Sequence, residues 1–151
     1  MMPTSSARGA GAGATPPRAT SLRLVGPAAE HARGSVIAPF GAKFQDDARA
    51  YAVALGPPDA VDVTTVARAL PEPDDLPAGT LLVVLPQVVD RPSLGRRLLA
   101  VLGRGRTVSR ALRSTALVAR GYVRVGAGVD SGTRSDLVWG YAPERAARGS
   151  P

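Results

Sequence analysis

Four arginines gather in "RTVSRALRSTALVAR", residues 106–120: Arg106, Arg110, Arg113 and Arg120. A guanidinium presents its N–H donors as a planar fork that matches phosphate and carboxylate, so a row of them is chemistry for holding anions. On a helix of 3.6 residues per turn the four fall within roughly 80° of one another, with Leu117 in their midst. Val108, Ala111, Leu112, Thr115 and Ala119 fall on the other side and are expected to pack against the domain. A plain solvated face, with arginine stems covering apolar surface, is the competing reading of the same stripe.

Few other side chains invite a reaction. The chain has no Cys, hence no thiolate nucleophile, thiolate metal site or disulfide, and one His cannot build a His-based zinc site. That residue, His31, follows Glu30 and reads as surface. Asp46-Asp47 and Asp74-Asp75 are paired acids of the kind used in general acid–base work. The first pair reads better as carboxylates at a helix start, complementing its dipole. The second lies in a Pro-rich turn, where Asp bonds its own backbone. "GAGVDSG", residues 126–132, contains Gly-x-Gly after a strand, but no helical period follows, so a hairpin loop is expected rather than a dinucleotide loop. Neither a Gly-x-Ser-x-Gly elbow nor a P-loop is present. Trp139 is expected to pack a hairpin rather than stack a base.

The 151 residues suit one domain with a real core, built from Leu, Val and Ala because only 4% are aromatic. Charge is lopsided: residues 1–90 carry seven basic and nine acidic side chains, residues 91–151 twelve Arg and three acids. Such concentration attracts phosphates, acidic proteins or anionic surfaces. No apolar run approaches the ~18–20 residues that span a bilayer, so no membrane role is expected and a cytoplasmic setting is.

The elements that must position these residues follow from pattern. Residues 1–20 are Gly-, Ala-, Ser- and Pro-rich and are expected to be a disordered tail. "SLRLVG" and "GSVIAPF" read as strands. "KFQDDARAYAVAL" places Phe44, Ala48, Tyr51, Ala52 and Leu55 at helical spacing, and Gly56 with two prolines stops it. "AVDVTTVARAL" is rich in β-branched residues and predicts a strand. "LPAGT" is a turn with Pro77 at its second position and Gly79 at its fourth. "TLLVVLP" does not alternate, which predicts a strand buried on both faces in a parallel sheet. Ser93 caps a helix "LGRRLLAVL" that ends at Gly103. "GYVRV" and "DLVWGYAP" form an antiparallel hairpin, and residues 143–151 fray. The expected fold is one α/β domain over residues 21–142: a mixed, mostly parallel sheet flanked by helices, ending in an antiparallel hairpin.

Two families share parts of this pattern. "LLAVLGRGRTVSRALRSTALVARGYVRV" resembles the helix–turn–recognition-helix–strand run of winged-helix DNA-binding domains. The resemblance implies a reading helix opened by Ser109-Arg110, with Arg106, Ser109, Arg110 and Arg113 at phosphates or base edges and residues 126–136 as the wing. Residues 60–143 resemble the carboxyl half of class I S-adenosylmethionine-dependent methyltransferases: a turn like "DLPAGT", a strand like "LLVVLP", a phrase like "LVARGYVRV" and a reversed final strand like "DLVWGYAP". That family binds its cofactor with a glycine-rich loop after the first strand and an acid ending the second. Here "VGPAAEHARG" follows the first strand, so the resemblance implies a reduced, non-catalytic relative in which S-adenosylmethionine is a possible ligand. The leading expectation joins that fold to an anionic partner, nucleic acid or acidic protein, held by Arg106, Ser109, Arg110, Arg113 and Arg120; the alternative is a winged-helix nucleic-acid-binding module.

Overall fold

Leu81–Val88 forms the strand from which the architecture is built. The computed structural model describes residues 15–34, 36–56, 62–88 and 107–144, and in it Leu81 to Pro86 are buried without interruption. In chain order the elements are β1 (Ser21–Val25), α1 (Ala29–Arg33), β2 (Lys43–Phe44), β3 (Ala50–Leu55), α2 (Val63–Ala69), β4 (Leu81–Val88), α3 (Arg110–Arg120), β5 (Val123–Val129) and β6 (Asp136–Tyr141). The described residues form a six-stranded sheet in the order β2-β1-β3-β4-β6-β5. β2, β1, β3 and β4 run parallel, whereas β6 lies antiparallel between β4 and β5. The class is α/β, as expected from the non-alternating run.

Both faces of the sheet are covered. Leu82 and Val84 project to one side with Val53, Leu55 and Val138, under Val66 and Leu70 from α2 and its end and Ala116 and Leu117 of α3. Leu81, Val83 and Leu85 project to the other, with Leu22, Leu24, Ala52 and Trp139 under Ala28 and Ala32. Each such Leu or Val contributes about 1.5–3 kcal/mol by leaving water. No helix among the described residues is long and apolar enough to cross a membrane.

Four sequence expectations are corrected. "KFQDDARAYAVAL" is not a helix but β2, a turn and β3. β3 does alternate, with Ala50, Ala52 and Ala54 on one face and Tyr51, Val53 and Leu55 on the other, but both faces are apolar and the period of two is hidden. "GSVIAPF" is not a strand. It closes in a 3-10 turn at Pro39–Gly41, Phe40 takes φ 63° and Ile37 is 78% exposed. Pro39 and Gly41 deny it a ladder. "AVDVTTVARAL" is α2: Asp62 caps it by accepting the Thr65 N–H at 2.8 Å, and Val63, Val66, Ala67 and Leu70 share the core-facing side. A cap and helical spacing outweigh β-branched propensity. The turn before β4 opens at Pro77, whose carbonyl accepts the Thr80 N–H at 3.1 Å, so Gly79 with φ 79° occupies its third position. The expected helix at 94–102 and residues 1–14 of the expected tail at 1–20 lie outside the described residues.

The hairpin forms as expected. Trp139 is buried, its indole against Gly126 and edge-on to Phe40 at 6.3 Å between centroids. The pairing slips between Val123 and Gly126, where Arg124 takes φ 53° and lays its guanidinium 4.4 Å from the centre of the Tyr141 ring. Asp130 organises the hairpin loop by accepting from the Thr133 N–H at 3.0 Å and hydroxyl at 2.7 Å, and it clips the loop to the Phe40 N–H at 3.1 Å. Burial pushes its carboxyl upward, but the donors of Thr133, Phe40 and Gly132 together hold it below the usual 3.8.

Two outcomes follow. A carboxyl whose folded pKa is depressed adds stability above 3.8 that is lost as pH falls through the folded value. Urea denaturation of Asp130→Asn between pH ~5 and ~2 should therefore show a shallower acid-side loss than the parent chain. Gly26 and Gly79 both have positive φ, 108° and 79°, but a Cβ at Gly26 would stand 2.5 Å from the Ala54 carbonyl oxygen while one at Gly79 meets nothing within 4 Å. Gly79→Ala should cost about 1–2 kcal/mol and Gly26→Ala clearly more, read from the same denaturation curves.

Candidate functional site

The arginine helix is well defined at both ends. The Ser109 hydroxyl accepts the Leu112 N–H at 3.2 Å, and Gly121, φ 110°, closes the helix with its N–H on the Leu117 and Val118 carbonyls. Its orientation corrects the sequence reading. Arg113, Ala116 and Leu117 face the sheet and are buried, whereas Ala111, Thr115 and Ala119 are exposed. Val108 and Leu112 pack on the core as expected, but Arg113 and Leu117, expected to face solvent, pack with them.

Arg113 makes this possible, being 1% exposed. Its Nε donates to the Val108 carbonyl at 2.9 Å, and its Nη1 to the Asp136 carbonyl at 2.7 Å and the Val84 carbonyl at 3.3 Å. Its Nη2 reaches the Asp136 carboxylate at 3.4 Å. One side chain thus ties the segment before α3 to β4 and β6. Burial lowers its pKa to about 10, against the pull of the Asp136 charge, so it stays protonated at neutral pH. Arg110 Nε donates to Asp136 Oδ1 at 2.9 Å. Arg120 donates from Nε to the Leu70 carbonyl at 3.2 Å and pairs through Nη1 with Glu72 at 3.0 Å, next to the Tyr122 hydroxyl bonded to the Pro71 carbonyl. Arg110 and Arg113 are therefore brought together on Asp136 as a structural seam, Ser109 caps the helix beside them, and Arg120 is held apart at the other end by Leu70 and Glu72. Arg106 lies outside the described residues.

A second place to look is the carboxyl end of the sheet, where the chain leaves β1 for β2 on one side and later returns to β3 on the other. Ligands of open α/β sheets bind at such a switch point. Among the described residues, the turn after β1 packs against the end of β3. Gly26 presses on the Ala54 carbonyl, the Ala28 N–H bonds that carbonyl at 3.3 Å, and Pro27 lies 3.3 Å from where a Cβ of Gly56 would stand. The acid that follows β2, Asp46, pairs with Arg33 at 2.7 Å, and that hydrogen bond and charge hold its carboxyl below the ordinary range. Asp46 is thus not at a helix start, contrary to the sequence expectation. Asp74 and Asp75 sit before β4, at the opposite end of the sheet. His31 is exposed on α1. No group of three metal-ligating side chains occurs among the described residues.

The third place was not singled out from the sequence. At the amino end of the sheet a cavity of about 570 Å3 is lined by Arg23, Asp47, Arg49, Tyr51 and the turn from Pro77 to Thr80. The Arg23 guanidinium lies 5.3 Å from the centre of the Tyr51 ring, and its Nε is buried without a hydrogen-bond partner. A signal was present: in "SLRLV" Arg23 shares the strand face of Val25, which packs on the core beneath α2 and α3.

Separating the seam from a surface patch is direct. Arg113→Ala leaves buried carbonyls and Asp136 without their donor and should cost about 3 kcal/mol or more in urea denaturation. Arg110→Ala removes a partly exposed pair and should cost within about 1 kcal/mol. Equal, small losses would return Arg113 to the surface.

No protein-family model, no curated protein and no solved structure matches this chain.

Proposed function

We propose that the chain is a reduced, non-catalytic relative of the class I S-adenosylmethionine-dependent methyltransferases, acting as a binding domain for an anionic partner. One observation carries the reading: a final strand, β6, reversed between β4 and β5 on an otherwise parallel sheet. The resemblance of residues 60–143 includes a reversed strand, expected at the sheet edge; here it lies one place in, with β5 outermost. The turn from Pro77 to Thr80 and the doubly buried β4 follow in the order the family pattern requires.

The loss of catalysis is supported by the switch-point crevice. A cofactor there needs a glycine-rich loop standing clear of the neighbouring strand and a free acid after β2. Pro27 and Ala28 occupy the first place, and Arg33 holds the second through Asp46. The winged-helix alternative draws no such support, since a reading helix must present the residues that α3 buries or pairs. The anionic partner must accordingly meet arginines outside the α3 seam.

Calorimetry with S-adenosylmethionine at millimolar concentration is expected to give no binding heat. Saturable heat at one site per chain would overturn the non-catalytic reading and reopen the crevice as an active site.

A further inference from the structure

We propose that the cavity at the amino end of the sheet binds the oxyanion of a small organic molecule through Arg23 and Arg49. This goes beyond the methyltransferase-like reading and does not depend on it, because neither the Gly26 to Ala28 turn nor Asp46 lines the cavity.

Arg23 is the anchor. It lines the cavity and has no hydrogen bond or ion pair among the described residues, in a protein where Arg33, Arg110, Arg113 and Arg120 all have carboxylate or carbonyl acceptors. Its Nε is closed off, so an entering oxyanion would meet the terminal nitrogens, whose charge and donors are left without an acceptor. The guanidinium is already held beside the Tyr51 ring, so its donor fork is oriented before anything binds. Arg49 lines the same cavity and has neither an ion pair nor a hydrogen bond among the described residues. Two guanidinia around one space suit an oxyanion with several acceptor oxygens.

The remaining walls narrow the ligand. The Gly79 and Thr80 N–H groups are already given to the Ala142 and Pro77 carbonyls, so recognition falls to side chains rather than to a backbone cradle. Asp47 lines the cavity too, two residues from Arg49, and offers an acceptor to a neutral hydroxyl or an amine of the ligand. A volume of about 570 Å3 fits a small molecule and not a nucleic-acid duplex.

The test follows the Arg Nε–H signals of the 15N-labelled full chain during titration with inorganic phosphate, with phenyl phosphate and with acetate, each against sodium chloride at matched ionic strength. The Arg23 Nε–H signal is expected to shift saturably with at least one oxyanion and not with chloride. The stronger response, phosphate or acetate, assigns the oxyanion class. Arg49→Gln, an exposed change that leaves the core intact, should weaken binding at least roughly tenfold. Arg23→Gln should abolish it. A shift that follows chloride equally, no saturation across the millimolar range, or unchanged affinity in Arg49→Gln overturns the proposal.

Discussion

A strand buried on both faces imposes conditions on everything around it. From Leu81 to Pro86 β4 has no solvent side, so its backbone there must be paired and two apolar layers must close over it. β3 and β6 supply the pairing, one parallel and one antiparallel. The layers come from α2 and α3 on one side and from α1 with its flanking loop on the other. Arg113 belongs to the same requirement. The Val84 carbonyl, on this strand, is one of its acceptors, so even the charged residue of α3 is committed to fastening a helix over β4.

That commitment explains why the arginine stripe was readable as a pattern but not as a surface. Helical period fixed the relative angles of Arg110, Arg113, Leu117 and Arg120 correctly. Which side of α3 faces inward depends on Asp136 and on three backbone carbonyls, all supplied by tertiary contact. The same limit applies to β3, where alanines on one face and larger residues on the other imitate a helical stripe. It applies to α2, where Val63 and Val66 suggested a strand and a single Asp62 cap decided otherwise. Local signals that need no partner survived: the hairpin and the continuous apolar run of β4.

Sites divide by the same logic. Residues grouped by sequence around α3 prove to have acceptors within the fold, and their charge balances Asp136 and Glu72. Arg23 and Arg49 come from different strands and approaches, so no spacing along the chain announces them. Only the sheet order, which sets β1 beside β3, brings them to one cavity.

The slipped pairing between Val123 and Gly126 bears on how the molecule keeps to itself. β5 is the outermost strand on its side, and an outer strand offers unpaired peptide groups to any passing chain. Arg124, turned into the left-handed region at that slip, twists the rim and sets a cation on it. A neighbouring molecule seeking to extend the sheet would find an interrupted template guarded by charge, and stacking into fibres is discouraged where the architecture is most open to it.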